Sequence, residues 1–385
     1  MAESIKQGVL ELLVLQPSPF CNLDCDYCYL PSRQLTVRMS EEVLTRVFER
    51  TFESRACGTG FTAVWHAGEP LALPPSYYRR AQEIISARNT RGVAVSHSLQ
   101  TNATLINPEW CELFKESGFR VGVSVDGPDF LHDRHRKTRS GRGTHAAVMR
   151  GIELLQKHEV PFHVISVLTR ESLDYPDEIF DFFVEADIRQ ICFNVEEIEG
   201  PHLHSSLGNQ ESEQRFREFL SRFYDLAMEV ADPPLSVREF DGALSAILGG
   251  ESHFESDATQ QTEPLRIISV DHLGNFSTFS PEFLGLSHER YPGFSFGNVM
   301  RESFDSMLSN QTFRTVHADL RKGVIRCKET CSYFPWCGGD GPVNKLFENG
   351  SLDSTETMYC RLSKMAVLDV TLDKLERKSR TLSMS

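Results

Sequence analysis

Three cysteines near the start of the chain have a spacing that suits an iron–sulfur cluster. Cys21, Cys25 and Cys28 follow an apolar segment, with three and then two residues between successive thiols. A structural zinc site is closed by four ligands, whereas a four-iron cluster held by three thiolates leaves one iron open to a substrate. The count of three favours a cluster with an open iron. A zinc site that takes a distant fourth ligand is the alternative that spacing alone leaves open.

Four further cysteines form a second group near the C-terminus. They are Cys327, Cys331, Cys337 and Cys360. Four thiols can close a zinc site or hold a cluster, and their spacing does not distinguish the two. The remaining cysteines, Cys57, Cys111 and Cys192, stand alone in the sequence. We expect these three to be small apolar side chains of the core.

The overall composition is typical of a soluble globular protein. The chain has 385 residues, 40% of them hydrophobic and 24% charged, with a formal net charge of −14. No apolar segment approaches the length of a membrane span, and the acidic balance argues against binding to nucleic acid. The N-terminal segment lacks the basic start and cleavage site of a secretory signal, so we expect a cytoplasmic protein without a membrane partner. Ten cysteines in such a protein indicate metal or redox chemistry rather than disulfides.

The first 200 residues alternate β-branched segments with amphipathic ones, which indicates repeated βα units around a parallel sheet. The predicted strands are Val9–Leu15, Phe61–His66, Val93–Gln100, Phe119–Asp126, Phe162–Leu168 and Gln190–Val195. The predicted helices between them are Glu41–Phe52, Ser76–Arg91, Pro108–Ser117, Thr144–His158 and Asp177–Ala186. The fold class is therefore α/β, and we expect a partial, TIM-like (βα)6 barrel. Its chemistry should gather at the C-terminal ends of the strands.

The second half of the chain has a different pattern. A polar helix is predicted over Gln210–Val230, and the Gly-, Ser- and Gln-rich segment Gly249–Pro264 indicates a mobile connection. Apolar segments on both sides of Asp271–Asn275 predict a β-hairpin. A closing helix is predicted from Thr355 to about Arg377.

The three-cysteine motif, with Tyr27 before its last cysteine, resembles that of the radical S-adenosylmethionine (SAM) superfamily. The resemblance covers most of the chain. It implies that SAM binds the open iron and is cleaved to methionine and a 5′-deoxyadenosyl radical, which abstracts a hydrogen atom from the substrate. It also implies an external one-electron reductant of the flavodoxin or ferredoxin type. The protein positions the cofactor and excludes water.

Further motifs at the strand ends resemble SAM-binding segments of the same superfamily. Ala67-Gly68-Glu69-Pro70 is similar to its Gly-Gly-Glu-Pro turn, where Glu69 is expected to receive the SAM ammonium group. Because Ala67 replaces a glycine, we expect a turn without a positive φ at that position. Arg136, in the basic segment HDRHRKTRSGRGTH, is expected to pair with the SAM carboxylate through its two-pronged guanidinium. The other expected SAM-contacting residues are His66, Gly68, Asn102, Ser124, Asn194 and Val195.

The C-terminal cysteine group resembles the SPASM-type extension of radical SAM enzymes that modify peptides, in which such thiols hold auxiliary four-iron clusters. The usual extension binds two clusters. Phe279 and Ser280 stand where the hairpin is expected to carry a cysteine, and Gly341 stands at another ligand position. We therefore expect one auxiliary cluster, held by the four C-terminal thiols. The predicted domains are a radical SAM barrel over 1–235, a linker over 236–265 and a SPASM-like domain over 266–385.

Extensions of this kind resemble maturases of Gly-rich-repeat peptides and three-residue cyclophane synthases. The resemblance implies a ribosomally synthesised precursor peptide, in which an aromatic ring carbon is joined to the β-carbon of a residue two positions later. Restoring the ring requires loss of one electron, which an auxiliary cluster can accept, and of one proton. Asp340, Glu282 and Asp271 are the candidate proton acceptors.

Two alternative functions are compatible with the sequence. One is an anaerobic sulfatase-maturing, formylglycine-forming radical SAM enzyme, whose family is expected to carry both auxiliary clusters. The other is a non-catalytic iron–sulfur or zinc scaffold that binds a peptide, for which an open iron has no use. The sequence does not identify the precursor peptide, the crosslinked residues, the site of leader recognition or the oligomeric state.

Overall fold

A single mixed sheet lies at the centre of the molecule. The structure is a computed structural model, and it describes residues 8–230, 234–249 and 259–384. The strands in this part of the chain are β1 (Leu12–Leu15), β2 (Gly60–Trp65), β3 (Ala94–Thr101), β4 (Arg120–Ser124), β5 (Phe162–Leu168), β6 (Gln190–Val195), β7 (Ser236–Val237), β8 (Ile267–Val270), β9 (Asn275–Thr278) and β10 (Gly297–Asn298).

The first six strands lie side by side in sequence order, and all of them are parallel. Side chains in β2 alternate between half-buried and buried, as expected for a sheet covered by helices on one face. The predicted parallel arrangement of six βα strands is confirmed. Because parallel strands end at the same edge, the loops after β1 to β6 lie together at one end of the sheet.

The remaining strands extend both edges of this parallel sheet. β7 pairs with β6, whereas the hairpin of β8 and β9 pairs with the opposite edge, where β8 is parallel to β1. The hairpin was predicted, but its pairing with β1 was not. β1 and β6 have no register with each other, so the sheet is open. The barrel-like curvature of the six central strands stays a prediction.

Helices cover the sheet and complete the extension. They are α1 (Glu41–Glu53), α2 (Pro75–Arg88), α3 (Pro108–Ser117), α4 (Asp129–His135), α5 (His145–Lys157), α6 (Pro176–Glu185), α7 (Gln210–Asp225), α8 (Arg238–Gly249), α9 (Gln311–Thr330), α10 (Phe334–Cys337), α11 (Pro342–Asn349), α12 (Met358–Cys360) and α13 (Val367–Met384). Local sequence explains their ends. The Asn107 side chain accepts a hydrogen bond from the Trp110 N–H to start α3, and Gly118 ends that helix with a φ of 61°.

The predicted linker over 236–265 is wrong in its first half. β7 and α8 occupy Ser236–Gly249, because Phe240, Ala243 and Ala246 form an apolar helix face that is buried. A Gly- and Ser-rich segment follows that helix, and most of it, 250–258, lies outside the described residues. The predicted closing helix is divided: α12 is followed by a wider π-type turn over Arg361–Ala366, and α13 continues to Met384. α4, which overlaps the start of the basic segment, was not predicted.

The C-terminal extension and the parallel sheet share one body. α13 packs on α7 and α8, and the hairpin is part of the sheet itself. In the described part of the chain, no helix is both long and apolar enough to cross a membrane.

Candidate active site

A cavity of about 650 Å³ opens at the C-terminal ends of the parallel strands. The loops after β1 and β2 and the last residues of β3, β4 and β6 form one side of its wall. Trp336, Asp340, Tyr359 and Lys364 of the extension form the other side. The cavity therefore lies where α/β folds gather their chemistry, and the C-terminal extension encloses it.

The three N-terminal cysteines all line this cavity. The Cys21 Sγ accepts a hydrogen bond from the Leu23 N–H at 3.4 Å. Burial, together with the nearby Glu69 charge, raises the pKa of Cys21 to about 12. Burial also raises the pKa of Cys25 to about 11, although the Arg136 charge opposes the shift. Such thiols release their protons readily only when a cation takes the proton's place, so they fit a metal-cluster site better than a free nucleophile.

The geometry of these thiols also bears on the kind of metal site. Among the described residues, no three or more His, Cys, Asp or Glu side chains are arranged to hold one metal ion. Ligands of a single zinc ion must converge on one point, whereas the thiolates of a four-iron cluster bind separate corners. The three thiols share the wall of one cavity, and no single point there collects three ligands in the described part of the chain.

A tight turn after β2 brings the cysteine loop against the sheet. Ala67 and Gly68 both have a positive φ, 70° and 61°. The expectation for Ala67 is therefore wrong: the chain must pack the turn against the segment before Cys21, and this packing forces the left-handed conformation. A Cβ on Gly68 would lie 2.4 Å from the Phe20 carbonyl oxygen and 2.6 Å from that of Ser18. Only glycine fits there.

Glu69 lines the cavity and joins the chain after β2 to the end of β3. Its Oε1 accepts hydrogen bonds from the Leu71 N–H at 2.9 Å and the Thr101 hydroxyl at 2.7 Å. Its Oε2 accepts one from the Asn102 N–H at 2.8 Å. Burial raises the pKa of Glu69 to about 7 even though these donors oppose the shift. The carboxylate thus holds the turn in place, and its expected contact with the SAM ammonium group stays a prediction.

Arg136 has a partner that the sequence pattern did not predict for it. Its Nε and Nη2 donate to the two carboxylate oxygens of Asp126 at 2.9 and 3.0 Å, and both side chains are buried. The Tyr27 hydroxyl donates to the same carboxylate, and Arg136 lies 5.4 Å from the Tyr27 ring centroid. The two-pronged face of Arg136 is therefore taken by Asp126. A contact with a SAM carboxylate would use the opposite face, formed by Nη1 and the second N–H of Nη2.

The other predicted SAM-contacting residues all line the cavity as well. The Ser124 Oγ accepts a hydrogen bond from the Gln100 amide at 2.9 Å, and the Asn194 Oδ1 accepts one from Arg238 at 2.9 Å. The buried Nδ1 of His66 has no hydrogen-bond partner, and burial lowers the pKa of His66 to about 4. A neutral imidazole with an unpaired nitrogen at the wall leaves a polar position for a bound molecule.

The second cysteine group lies just behind the opposite wall. Cys327 is in the last turn of α9, Cys331 follows that helix, Cys337 ends α10 and Cys360 ends α12. Burial raises the pKa of Cys337 and of Cys360, and the charge of Cys337 acts on Cys360. None of the four thiols lines the cavity, but their chain neighbours Trp336 and Tyr359 do. A group held there would be one residue away from the cavity.

An aromatic ring fills the hairpin position where a further ligand is expected. Phe279 is fully buried and stacks on Phe313 and His317 at centroid distances of 6.0 and 6.2 Å. Its φ of 77° is rare for a bulky residue, and Gly341 has a φ of 72°. The hairpin therefore presents packed hydrocarbon rather than a thiol at this point.

The three candidate proton acceptors have different surroundings. Asp271 is wrong as a candidate, because it lies outside the cavity wall and its Oδ1 accepts hydrogen bonds from the Leu273 and Asn275 N–H groups of the hairpin turn. Asp340 lines the cavity, but it lies 3.6 Å from the Lys364 ammonium. Glu282 also lines the cavity, and burial together with the Glu197 charge raises its pKa to about 7.

Two further carboxyl groups in the wall were missed from the sequence. Glu197 and Glu199 follow β6, and their side chains hydrogen-bond each other. Burial raises the pKa of both carboxyls. The charges of Glu197 and Glu282 raise the pKa of Glu199 further. The Asn344 amide fixes Glu197 at 2.6 Å. The acidic run Glu196-Glu197-Ile-Glu199 directly after a predicted strand was the signal that could have identified them.

Comparisons with known proteins agree with this arrangement. A family model described as the radical SAM superfamily matches residues 15–183. The chain is 46% identical over 373 residues to an uncharacterised protein of Synechocystis sp., spanning 96% of this chain and 93% of the relative. It is 31% identical over 350 residues to a cysteine-type anaerobic sulfatase-maturating enzyme of Clostridium perfringens strain 13, spanning 86% of this chain and 88% of the relative.

A solved structure shares the fold over almost the whole chain. Native anSMEcpe with bound AdoMet and Cp18Cys peptide is similar with a TM-score of 0.77, covering 96% of this chain and 99% of that chain. The sequence identity is 22%, so this match concerns the fold alone.

Proposed function

Because the chain belongs to the radical SAM superfamily, we propose that it crosslinks a ribosomally synthesised precursor peptide, joining an aromatic ring carbon to the β-carbon of a residue two positions later. The cavity is the observation that carries this proposal. The cysteine loop after β1 and Glu282 of the extension both line it, so both groups face one space.

The thiols divide between two proposed cofactor sites. Cys21, Cys25 and Cys28 hold the SAM-binding four-iron cluster, and the four C-terminal cysteines hold one auxiliary cluster. When bound, the first cluster and SAM supply a 5′-deoxyadenosyl radical that removes one hydrogen atom from the substrate β-carbon. The residues predicted to contact SAM, from His66 and Gly68 to Asn194 and Val195, all line the same cavity and would hold it there. The extension forms one side of this space.

Glu282 is the proposed proton acceptor. After the carbon–carbon bond forms, the substrate ring must lose one electron and one proton to become aromatic again. Glu282 lines the cavity and has no cation paired with it among the described residues, unlike Asp340 with its Lys364 neighbour. Its pKa of about 7 is raised by burial, which makes it a stronger base than an ordinary glutamate once it is ionised. Glu197 and Glu199 are instead hydrogen-bonded to each other, and the Asn344 amide donates to Glu197.

The test is mass spectrometry of the peptide encoded beside the gene, co-expressed with the protein. Each crosslink should lower the peptide mass by two hydrogens. Tandem mass spectrometry should give no backbone fragment ions from between the two linked residues. The Cys21→Ala variant should leave the peptide unchanged, because it lacks a cluster ligand. If wild-type protein releases 5′-deoxyadenosine yet leaves every candidate peptide at its original mass, the crosslinking proposal is wrong. A protein that releases no 5′-deoxyadenosine with dithionite and SAM would be a scaffold.

Sulfatase maturation is the second candidate, and the relative at 31% identity favours it. The product would be formylglycine, an aldehyde that reacts with hydrazine probes, whereas a carbon–carbon crosslink does not. Phe279 in the hairpin weighs against this candidate, because the enzymes of that family are expected to carry a second auxiliary cluster there. Incubating the protein with a Cys- or Ser-containing sulfatase peptide and a hydrazine probe separates the two reactions.

A further inference from the structure

Three cations next to the cysteine loop have no carboxylate partner in the part of the chain that the structure describes. They are Lys137, Arg139 and Arg142, which we call the basic patch. Arg139 and Arg142 are exposed, and Lys137 is half-buried. Nearby cations differ: Arg33 pairs with Asp24 at 3.1 Å, and Arg134 pairs with Glu171. On a chain with a net charge of −14, these three neighbouring cations form a local group of positive charge.

The basic patch is attached directly to the loop that carries Cys21, Cys25 and Cys28. The Asp24 N–H donates to the Lys137 carbonyl oxygen at 2.7 Å, and Leu23 forms an antiparallel bridge with Thr138. The Arg139 guanidinium donates to the Cys21 carbonyl oxygen at 2.8 Å. The patch thus covers the outer side of the loop, whereas the three thiols line the cavity on its inner side.

Two exposed apolar residues lie beside these cations. Leu35 and Val37 have 46% and 45% of their surface exposed, in the segment that follows Arg33. This segment is joined to the patch, because Arg139 donates to the Arg33 carbonyl oxygen and the Cys21 N–H donates to the same oxygen. Apolar residues beside a charged rim are typical of protein-docking surfaces.

We propose that the basic patch, together with Leu35 and Val37, docks an acidic one-electron carrier protein. An acidic carrier is repelled by the overall charge of this chain, so a local group of cations is needed to attract and orient it. The position is the outer side of the loop whose thiols would hold the first cluster. The reduced carrier would pass one electron to the cluster held by the three thiols and leave oxidised, and no proton or covalent bond is transferred. A nucleic acid would also attract cations, but the net charge and the two apolar residues favour a protein.

The test uses reconstituted holoenzyme and an acidic bacterial flavodoxin as the probe. The double variant Lys137→Glu/Arg142→Glu should bind oxidised flavodoxin about 10-fold more weakly at low ionic strength, and this difference should shrink as salt is added. Its N-terminal cluster should be reduced more slowly by reduced flavodoxin but at an unchanged rate by dithionite. Iron content should be unchanged, because neither side chain contacts the thiols. Arg139 is left intact because it holds the Cys21 carbonyl.

Lys157→Glu is the matched control. Combined with Arg150→Glu, it reverses two charges, as the test variant does, on exposed residues of α5 away from the cysteine loop, and should leave flavodoxin affinity unchanged. Leu35→Ser should weaken flavodoxin binding without the salt dependence. Equal affinity of the double variant and wild type, or no measurable binding by wild type, overturns the proposal. Binding of a short DNA duplex to the wild-type protein through the same residues also overturns the proposal.

This inference needs a reducible cluster on the N-terminal thiols but not the crosslinking reaction. If no peptide is crosslinked while flavodoxin affinity still responds to the patch variants, the proposed function fails and the docking surface stands.

Discussion

Ala67 and Gly68 determine where the cysteine loop lies relative to the sheet. Gly68 leaves no room for a Cβ, because the carbonyl oxygens of Ser18 and Phe20 pack against its Cα. Ala67 adopts a left-handed conformation that costs an alanine roughly 1 to 2 kcal/mol. The chain therefore tolerates strain at one position and requires glycine at the next. Both residues act on the cluster site through backbone packing rather than through a side chain.

Substitutions at this turn should have different effects at Gly68 and at Ala67. Gly68→Ala should push the segment before Cys21 away from the sheet, so reconstituted protein should lose the iron of the N-terminal site, about 4 irons per chain. Ala67→Gly is the control, and it should keep its iron and be more stable by about 0.5 kcal/mol, because glycine relieves the strain but adds unfolded-state entropy. Iron analysis and urea unfolding measure these outcomes. Full iron content in Gly68→Ala would show that the loop can move without losing its metal.

Glu282→Gln should stop crosslinking while leaving SAM cleavage in place. Loss of a general base typically costs a factor of about 100 or more. The pKa of Glu282 is raised to about 7, so its ionised fraction, and with it the wild-type crosslinking rate, should rise between about pH 6 and pH 8. The variant should lose this pH dependence. Crosslinked peptide and 5′-deoxyadenosine are measured together.

Asp340→Asn and Asp271→Asn are the comparators for this experiment. Asp271→Asn should keep crosslinking, because Asp271 only caps the hairpin turn. If Asp340→Asn loses the product and Glu282→Gln keeps it, the proton acceptor is Asp340.

The connection from β4 through α4 is the element that places Arg136. Asp126 follows β4, and α4 ends just before Arg136, so the short helix brings the guanidinium back onto the carboxylate. The buried His132 fixes the bend: its Nδ1 accepts a hydrogen bond from the Asp126 N–H at 3.3 Å, and its Nε2 lies 3.1 Å from the Thr144 hydroxyl. Burial lowers the pKa of His132 to about 3, so it is neutral there.

Arg136→Ala should destabilise the fold by about 3 kcal/mol or more, because it leaves a buried carboxylate without its partner. Burial alone would raise the pKa of Asp126, but the Arg136 guanidinium and its hydrogen bonds hold it below its usual value. A carboxyl with a lowered folded-state pKa contributes its stability above the unfolded pKa and loses it as pH falls. The difference between wild type and variant should therefore be largest near neutral pH and shrink below about pH 4.

Urea unfolding of Arg136→Ala, Asp126→Asn and the double variant measures this coupling. The double variant should recover part of the stability lost in Arg136→Ala, since no charge is then left buried. Additive losses in the cycle would contradict the pairing.

At the scale of the whole molecule, the described strands form one sheet. The hairpin of the extension extends this sheet beyond β1, because β8 pairs with β1. This pairing brings Glu282 to the cavity, because the short turn that carries it follows β9 directly. α13 returns across α7 and α8 and closes the other side. The extension is therefore part of the cavity wall rather than a separate domain attached by a linker.

The complete protein should hold two four-iron clusters. Anaerobic reconstitution should give about 8 irons and about 8 sulfides per chain, because seven cysteines supply two sites and Phe279 fills the hairpin position of a third. Cys360→Ala should reduce the count to about 4, whereas Cys111→Ala, at a buried lone cysteine on α3, should keep about 8. About 12 irons would mean a third cluster. About 4 irons and one zinc would remove the proposed electron acceptor, because zinc has no redox chemistry.

Local patterns in the sequence were sufficient to predict the parallel sheet and much of the cavity wall. Period-2 and period-3.6 patterns depend on near neighbours, so the six strands and most helices could be predicted with small errors at their ends. Residues that follow parallel strands must share one edge, so the sequence already predicts that Cys21, Glu69, Asn102 and Ser124 lie together. Short elements such as α4 and β7 carry too few residues for a clear pattern.

Which side chains already have partners depends on the folded chain and could not be predicted. Asp126 and Arg136 are ten positions apart in a segment whose bend depends on buried His132, and no local pattern encodes that bend. The positive φ of Ala67 follows from packing against a segment about fifty residues earlier, and β8 pairs with β1 across more than 250 residues. Burial likewise raises the pKa of Glu282. The sequence alone does not distinguish this buried carboxyl group from an exposed one. These effects depend on long-range contacts and desolvation, which arise only once the chain has folded.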